Sequence, residues 1–282
     1  MNIKDLKIIL DSTSGYSKIA LEKNGFSFIP QQVIIDDKQY RDGDNINLKT
    51  TIELMESATK SQTSQPSYGE LVEKIKKLAT EYKYVIFIPM NKGISSTYEV
   101  AAKVADNFDN VAVIPNRLFG TAMIDAATRG KEAFLKEHKI QDAINAIHHV
   151  NDNSHCYICP KNLDAFIRGG RLSGGKRFIL ERAHLIPRLL IKDEGIKVSG
   201  VKRNVSKLIT SSIEKIINKI GKDNINDYHW EIIHTYEQSM IKIAQQALKS
   251  IGIKDFLTTP AASIIGIHTG IGAIAINAWP KK

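Results

Sequence analysis

The sequence predicts an α/β protein of two domains: an N-terminal three-layer α/β/α domain built on a parallel sheet, and a C-terminal two-layer domain built on a mixed sheet. Three observations carry this expectation. Apolar runs of strand length alternate with helix-period segments through the first half; the polar stretch "NDNSH" (151–155) interrupts them; and strand-like runs dominate the second half. The boundary is placed so that the domains are residues 1–152 and 153–282. At 282 residues, 43% hydrophobic and 24% charged, the chain can bury one large core or two smaller ones.

In the first half the predicted strands are "KIILD", "FSFIPQQVII", "YVIFIPM" and "NVAVIPN", each short, apolar and rich in β-branched residues. Between them, "SKIALEKNG", "LKTTIELMESAT", "YGELVEKIKKLATEY", "STYEVAAKVADNF" and "TAMIDAATRGKEAFLKE" repeat apolar residues at helical spacing, and "IQDAINAIHHV" closes the half as a further helix. The second half mixes the strands "CYIC", "RLLIKD", "IKVSGV", "WEIIHTY", "DFLTTP" and "GAIAINAW" with helices. "IKDEGIKVSG" reads as a hairpin turning at Glu194-Gly195.

Parallel sheets collect ligands at the carboxyl ends of their strands, which directs attention to the loops "DSTSGYS", "SQTSQPS" and "NKGISST". Ser67 with Glu70, and Ser96 with Glu99, have the spacing of capping boxes, so both serines are assigned to backbone N–H groups. Thr63, Ser64 and Ser95 keep no such duty. Pro66 biases Gln65 toward extended backbone and holds Thr63 and Ser64 off the following helix. Ser95 falls just outside a helix N-terminus, where a carboxylate or phosphate is favoured. Local turn bonding is the plainer alternative.

Other motifs point less far. "GRLSGGKR" (170–177) approaches a phosphate loop but has Arg177 in place of the metal-holding hydroxyl and follows a helical segment; its glycines instead set Arg171 at a domain junction, suited to pairing with an anion. In "HCYICP" the thiols of Cys156 and Cys159 face opposite sides of a strand, so structural cysteines are expected and no metal site. His268, in "IIGIHTGIGAIAI", is either a hydrogen-bonded core histidine or a donor that Gly266 and Gly270 expose at a cleft.

The net charge of +9 has its densest excess between Arg168 and Arg203, which reads either as a solvated surface or as a docking face for an acidic partner. The start lacks a signal peptide, no stretch has the length of a bilayer span, and two cysteines make no disulfide framework; a cytoplasmic protein is expected.

Taken together, "DSTSG", "TSQPS", "GISSTY", "RGGRLSGG", "IKDEGIKVSGVKRN" and "GIHTGIGAIAI" occur in an order and spacing that resemble the DegV family of bacterial fatty-acid-binding proteins across nearly the whole chain. The resemblance implies a carrier, without catalysis or cofactor of its own, that buries one long-chain fatty acid and presents its carboxylate to a separate fatty-acid kinase catalytic subunit. It implies transient membrane contact for ligand exchange and no nucleic-acid partner. It places the carboxylate on Thr63 and Ser95, Arg171 and His268 near the carboxylate or acyl phosphate, and Arg203 at the kinase-docking surface. This chain departs from the family pattern at Asn91 and Lys92 (a Ser-Ser pair), Ser96 (Gly), Pro115 and Asn116 (Asp-Ser) and Ile271 (Pro). Two other classes stay open: a small-molecule phosphotransferase related to dihydroxyacetone kinase subunits, with His268 as covalent anchor, and a basic nucleic-acid-binding regulator, for which no helix-turn-helix is evident.

Overall fold

The computed structural model describes residues 4–161, 164–168 and 185–282. Strand β1 (Lys4–Asp11) lies between β2 (Ser27–Ile29) and β6 (Tyr82–Ile88), with β7 (Val111–Val113) beyond β6, and every pairing is parallel. Period-two alternation sorts their side chains. Ile9, Val85 and Phe87 pack with Leu71 and Ile75 of α3 (Tyr68–Glu81) and Val104 of α4 (Thr97–Ala105). Ile8, Leu10, Ile86 and Ile88 pack on the other face, against Leu21 of α1 (Lys18–Lys23), Ala122 and Ala126 of α5 (Thr121–Glu137) and Ile147 of α6 (Ile140–Asn153). These are the three expected layers.

The run "FSFIPQQVII" is not one strand. It breaks at Pro30, which has no N–H to donate, into β2 of the parallel sheet and β3 (Gln32–Ile35) of a small antiparallel sheet. There β3 lies between β4 (Lys38–Arg41) and β5 (Ser61–Ser64). Asp36 and Asp37, at φ 44° and 64°, form the two-residue β3–β4 turn where Asn-Gly is the usual signal. The Asp36 carboxylate accepts from Thr59 Oγ1 and from the N–H groups of Thr59 and Lys60, and these bonds hold it below the ordinary carboxylate range.

Among the described residues the C-terminal sheet has the strand order β10-β9-β8-β13-β11-β12, formed by β8 (His155–Cys159), β9 (Ile186–Lys192), β10 (Gly195–Lys202), β11 (Tyr228–His234), β12 (Leu257–Pro260) and β13 (Ile274–Pro280). Only β11 and β12 pair in parallel, so the sheet is mixed. The β9–β10 register pairs Gly195 with Lys192, so the hairpin turns at Asp193-Glu194, one residue earlier than the sequence suggests. Ile209, Ile213 and Ile216 of α8 (Val205–Ile220) and Leu248 of α9 (Gln238–Ser250) cover Tyr157, Cys159, Ile232 and Ile276 on one face. The opposite face, with Cys156, Ile158, Ile233 and Ala275, turns toward Leu48 and Phe119 of the N-terminal half.

Two polar contacts tie the halves together. Trp279, buried in the N-terminal core, donates its indole N–H to Asp125 Oδ2 at 2.9 Å. Glu231 of β11 is fully buried and accepts from Thr121 Oγ1 at 2.6 Å, Thr259 Oγ1 at 2.8 Å and Asn277 Nδ2 at 3.2 Å, besides the Thr121 N–H that opens α5. Burial raises its pKa, and those donors offset part of the shift.

A third tie begins at Asp42, whose Oδ1 and Oδ2 accept from Ser263 N at 3.1 Å and Ile264 N at 3.2 Å, the first turn of α10 (Ser263–Thr269). Burial pushes the Asp42 carboxyl up to about 6, against the pull of those donors. Between pH values of about 4 and about 6 the folded chain therefore keeps a proton that the unfolded chain has released, and the contribution of Asp42 to stability falls as pH rises through that window. Urea unfolding of the wild type and of Asp42→Asn at pH 4, 5, 6 and 7 should show a wild-type advantage that shrinks up to pH 6 and is flat above; an advantage growing with pH would contradict this.

Candidate functional site

Thr63 stands on β5, opposite Val33 of β3, where the local pattern alternates half-buried and exposed residues. The segment expected to be a loop is thus a short strand, and its alternation turns Thr63 inward while Gln62 and Ser64 face out. Thr63 Oγ1 is hydrogen-bonded to His268 Nε2 at 2.6 Å, joining residues 205 apart in sequence. His268 rides on α10, which crosses α2 (Leu48–Met55) so closely that a Cβ on Gly266 would meet Leu48 Cδ1 at 2.3 Å. Gly266 serves this helix crossing, and Gly270, at φ +73°, ends the helix. Their role is to seat the histidine-bearing helix.

Ser95 arrives from the β6–α4 loop. Its Oγ lies 2.8 Å from Thr97 Oγ1 and accepts from Thr97 N at 3.2 Å, so the capping duty expected of Ser96 falls partly to Ser95. Ser96, at the N-cap of α4, makes no side-chain cap bond; its hydroxyl donates to Gln65 Oε1 across the mouth of the site. Ser67 likewise makes no cap bond, and the Glu70 carboxylate, expected to reach back to the Ser67 N–H, is engaged instead by the fork of Arg41 at 2.7 and 2.6 Å. Helix α3 starts without the capping box.

Behind Ser95 runs a buried polar chain that sequence reasoning did not assemble. Gln31 Nε2 donates to Thr97 Oγ1 at 3.1 Å and to Asp11 Oδ2 at 3.0 Å; Asp11 also accepts from Thr13 N and, at 2.6 Å, from Met90 N. Burial raises the Asp11 pKa, and these donors partly offset it. The Asp of "DSTSG" is the one local signal, since it N-caps the short 3₁₀ turn Ser12–Ser14; Gln31 and Thr97 come from separate segments and offer none.

Gln31, Thr63, Ser95 and His268 form the polar end of a cavity of about 570 Å³ of empty space, part of it open to solvent, whose remaining wall is mostly apolar, with Ile158, Phe166, Ile191 and Ile265 among its residues. A second cavity of about 450 Å³, bordered by Phe119, Ile233 and Ala275, shares Ile158, Ile265 and Thr269 with the first. Ile265, His268 and Thr269 fall on one face of α10, so a single helix supplies a polar tip to one chamber and the wall between both. Toward solvent, Thr63, Ser95, Ser96, Lys92 and Glu99 border an open mouth.

The other anticipated residues lie apart. Arg203 is exposed at the end of β10, just before Asn204, whose side chain caps α8, and it lines neither chamber. Arg171, like the rest of "GRLSGGKR", lies outside the described residues. Cys156 packs with the inter-domain residues and Cys159 in the core beneath α8, on opposite faces of β8; burial pushes their thiols up to about 12 and about 11. Among the described residues no cluster of three His, Cys, Asp or Glu side chains is placed to hold a metal ion. The departures at Asn91 and Asn116 meet in space: Asn91 Nδ2 donates to Asn116 O at 2.9 Å, and each side chain also clips its own loop, through Gly93 N and Leu118 N. They brace the loops beneath the site, and neither borders the polar chamber.

The sequence profile described as "Uncharacterised protein, DegV family" matches residues 5–281. The chain belongs to the DegV family. A DegV domain-containing protein of Mycoplasmopsis pulmonis is 25% identical over 272 residues, covering 96% of this chain and 94% of that protein. Among solved structures, DegV, a fatty acid binding protein from Bacillus subtilis, superimposes with a TM-score of 0.81 at 25% identity, covering 99% of this chain and all of that one. A fatty acid binding DegV family protein from Streptococcus agalactiae gives a TM-score of 0.87 at 23% identity, covering 99% of this chain and 100% of that one. The two-domain α/β architecture of this DegV chain is that of its relatives.

Proposed function

We propose that this chain carries one long-chain fatty acid, with the carboxylate on the Thr63 and Ser95 hydroxyls beside His268 and the tail in the apolar chambers. The observation that carries the reading is the meeting of Thr63 and His268 at 2.6 Å, next to Ser95, at the polar end of an otherwise apolar cavity. Hydroxyls at one end suit a carboxylate and an apolar wall suits a hydrocarbon chain, whose burial contributes about 0.8 kcal/mol per CH₂. The fatty-acid binding in the names of the B. subtilis and S. agalactiae proteins supports it.

In this reading the chain performs no chemistry alone and needs no cofactor. It hands the acid to a separate kinase that forms the acyl phosphate, with exposed Arg203 helping to dock that partner and Arg171 near the phosphate. No helix among the described residues is long and apolar enough to cross a membrane, and the proposed carrier works in the cytoplasm, touching membranes only to exchange ligand. Native mass spectrometry before and after organic extraction tests the reading. The expected result is a co-purified fatty acid of about C14 to C18 that returns after delipidation, because the apolar interior is costly to leave unfilled. A delipidated chain that refuses fatty acids would overturn it, and a bound triose would favour phosphotransfer instead.

A further inference from the structure

The polar chamber offers a head group hydroxyls and an imidazole, but its mouth adds a full charge. Among the described residues bordering the chamber or the mouth, Lys92 is the one Lys or Arg, and it makes no ion pair. Glu99, the one carboxylate there, stands without an ion pair as well. The backbone carrying Lys92 is held from both sides. Asn91, 1% exposed, ties it to Asn116 O and Gly93 N, and the N–H groups of Ile94 and Ser95 both return to Asn91 O at 3.2 Å. On the other side Gly93 lies against the β9–β10 turn so tightly that a Cβ would fall 2.0 Å from Gly195 N. The lysine stem is therefore flexible and exposed, on a root clamped at the rim beside Thr63 and Ser95.

We propose that Lys92 makes this site discriminate between head groups by charge, holding a phosphate-headed lipid more tightly than the carboxylate it is made from. The inference rests on the fatty-acid reading and adds a specificity-determining residue to it. A phosphate monoester carries close to two negative charges above pH 7, against one for a carboxylate. The Coulomb attraction of one ammonium scales with the charge it faces, so a contribution worth about threefold in affinity for a carboxylate becomes about tenfold for a dianion. Hydroxyl donors discriminate less steeply, because they offer dipoles rather than a fixed charge.

Calorimetric titration of the delipidated chain at pH 8 with stearate and with octadecyl phosphate tests the assignment, using wild type, Lys92→Met and Lys92→Arg at low and moderate salt. Lys92→Met should weaken stearate about threefold and octadecyl phosphate about tenfold, narrowing the preference, while Lys92→Arg restores it. Added salt should narrow the wild-type preference more than that of Lys92→Met. A Lys92→Met protein that keeps the wild-type ratio of the two affinities would refute the role of Lys92 while leaving the fatty-acid site standing. If the wild type binds neither lipid, the fatty-acid reading fails and this inference falls with it.

Discussion

Thr63→Val should weaken fatty-acid binding by about ten- to a hundredfold without unfolding the protein. The substitution keeps the shape and β-branching that suit β5 and removes only the hydroxyl, which in the proposed complex donates to a carboxylate; hydrogen bonds to charged groups contribute about 1.5–3 kcal/mol. Thr63 also bonds His268, so the two residues should act as a unit. His268→Ala and Thr63→Val should therefore combine to less than the sum of their separate effects in a double-mutant cycle. Ser67→Ala is the matched control: lying next to the site but making no side-chain cap bond, it should change both affinity and stability by under about 0.5 kcal/mol. Additive losses from the Thr63 and His268 variants, or a Ser67 variant as damaging as Thr63→Val, would show that the head-group contacts are wrongly assigned.

The second large effect concerns stability. Gly93→Ala should destabilise the fold by about 3 kcal/mol, at the upper end for overpacking, and lower the melting temperature by several degrees. The added Cβ would meet Gly195 N at 2.0 Å, Gly195 Cα at 2.6 Å and Asp193 O at 2.7 Å, all backbone atoms that cannot swing aside as a side-chain end would. Relief requires the Met90–Ser95 loop of one domain to separate from the β9–β10 turn of the other. Gly195→Ala presses on the same contact from the far side, reaching Gly93 O at 2.8 Å, and its φ of +111° adds backbone strain. Thermal melts and fatty-acid titrations of each variant check this: a Gly93→Ala protein with wild-type stability would mean that the two loops are not in contact.

Much of the scaffold was readable in the residues, because alternation and helical spacing are local signals. Ile8, Ile9 and Leu10 declare a strand buried on both faces, and residues 121–137 form the helix their spacing implies. Most of the failures share a cause: each depended on a partner distant in sequence. "SQTS" is polar and becomes a strand only because Val33 and its neighbours lie beside it. Helix α10 contains glycine and a run of isoleucines, poor helix formers both, and its first turn is satisfied by Asp42, 221 residues earlier. The serines were misassigned for the same reason: Arg41 takes Glu70 from Ser67, and Gln65 takes the hydroxyl of Ser96. Of the site itself, unassigned hydroxyls pointed to Thr63 and Ser95, whereas their meeting with His268 and the chain through Gln31 to Asp11 exist only in the fold.

Strand β13 has a consequence for how the protein is made. It lies between β8 and β11 in the C-terminal sheet, and its Trp279 fills the N-terminal core. A nascent chain emerging from the ribosome can form helices and the β1–β6 pairing early, but β8 has no neighbour to bridge it to β11, and Asp125 no indole to receive, until residues 274–280 have been synthesised. Both halves therefore wait on the same late segment, and until it arrives the walls of the two apolar chambers are exposed surface. That interval is when the chain is most exposed to aggregation and has most to gain from a chaperone.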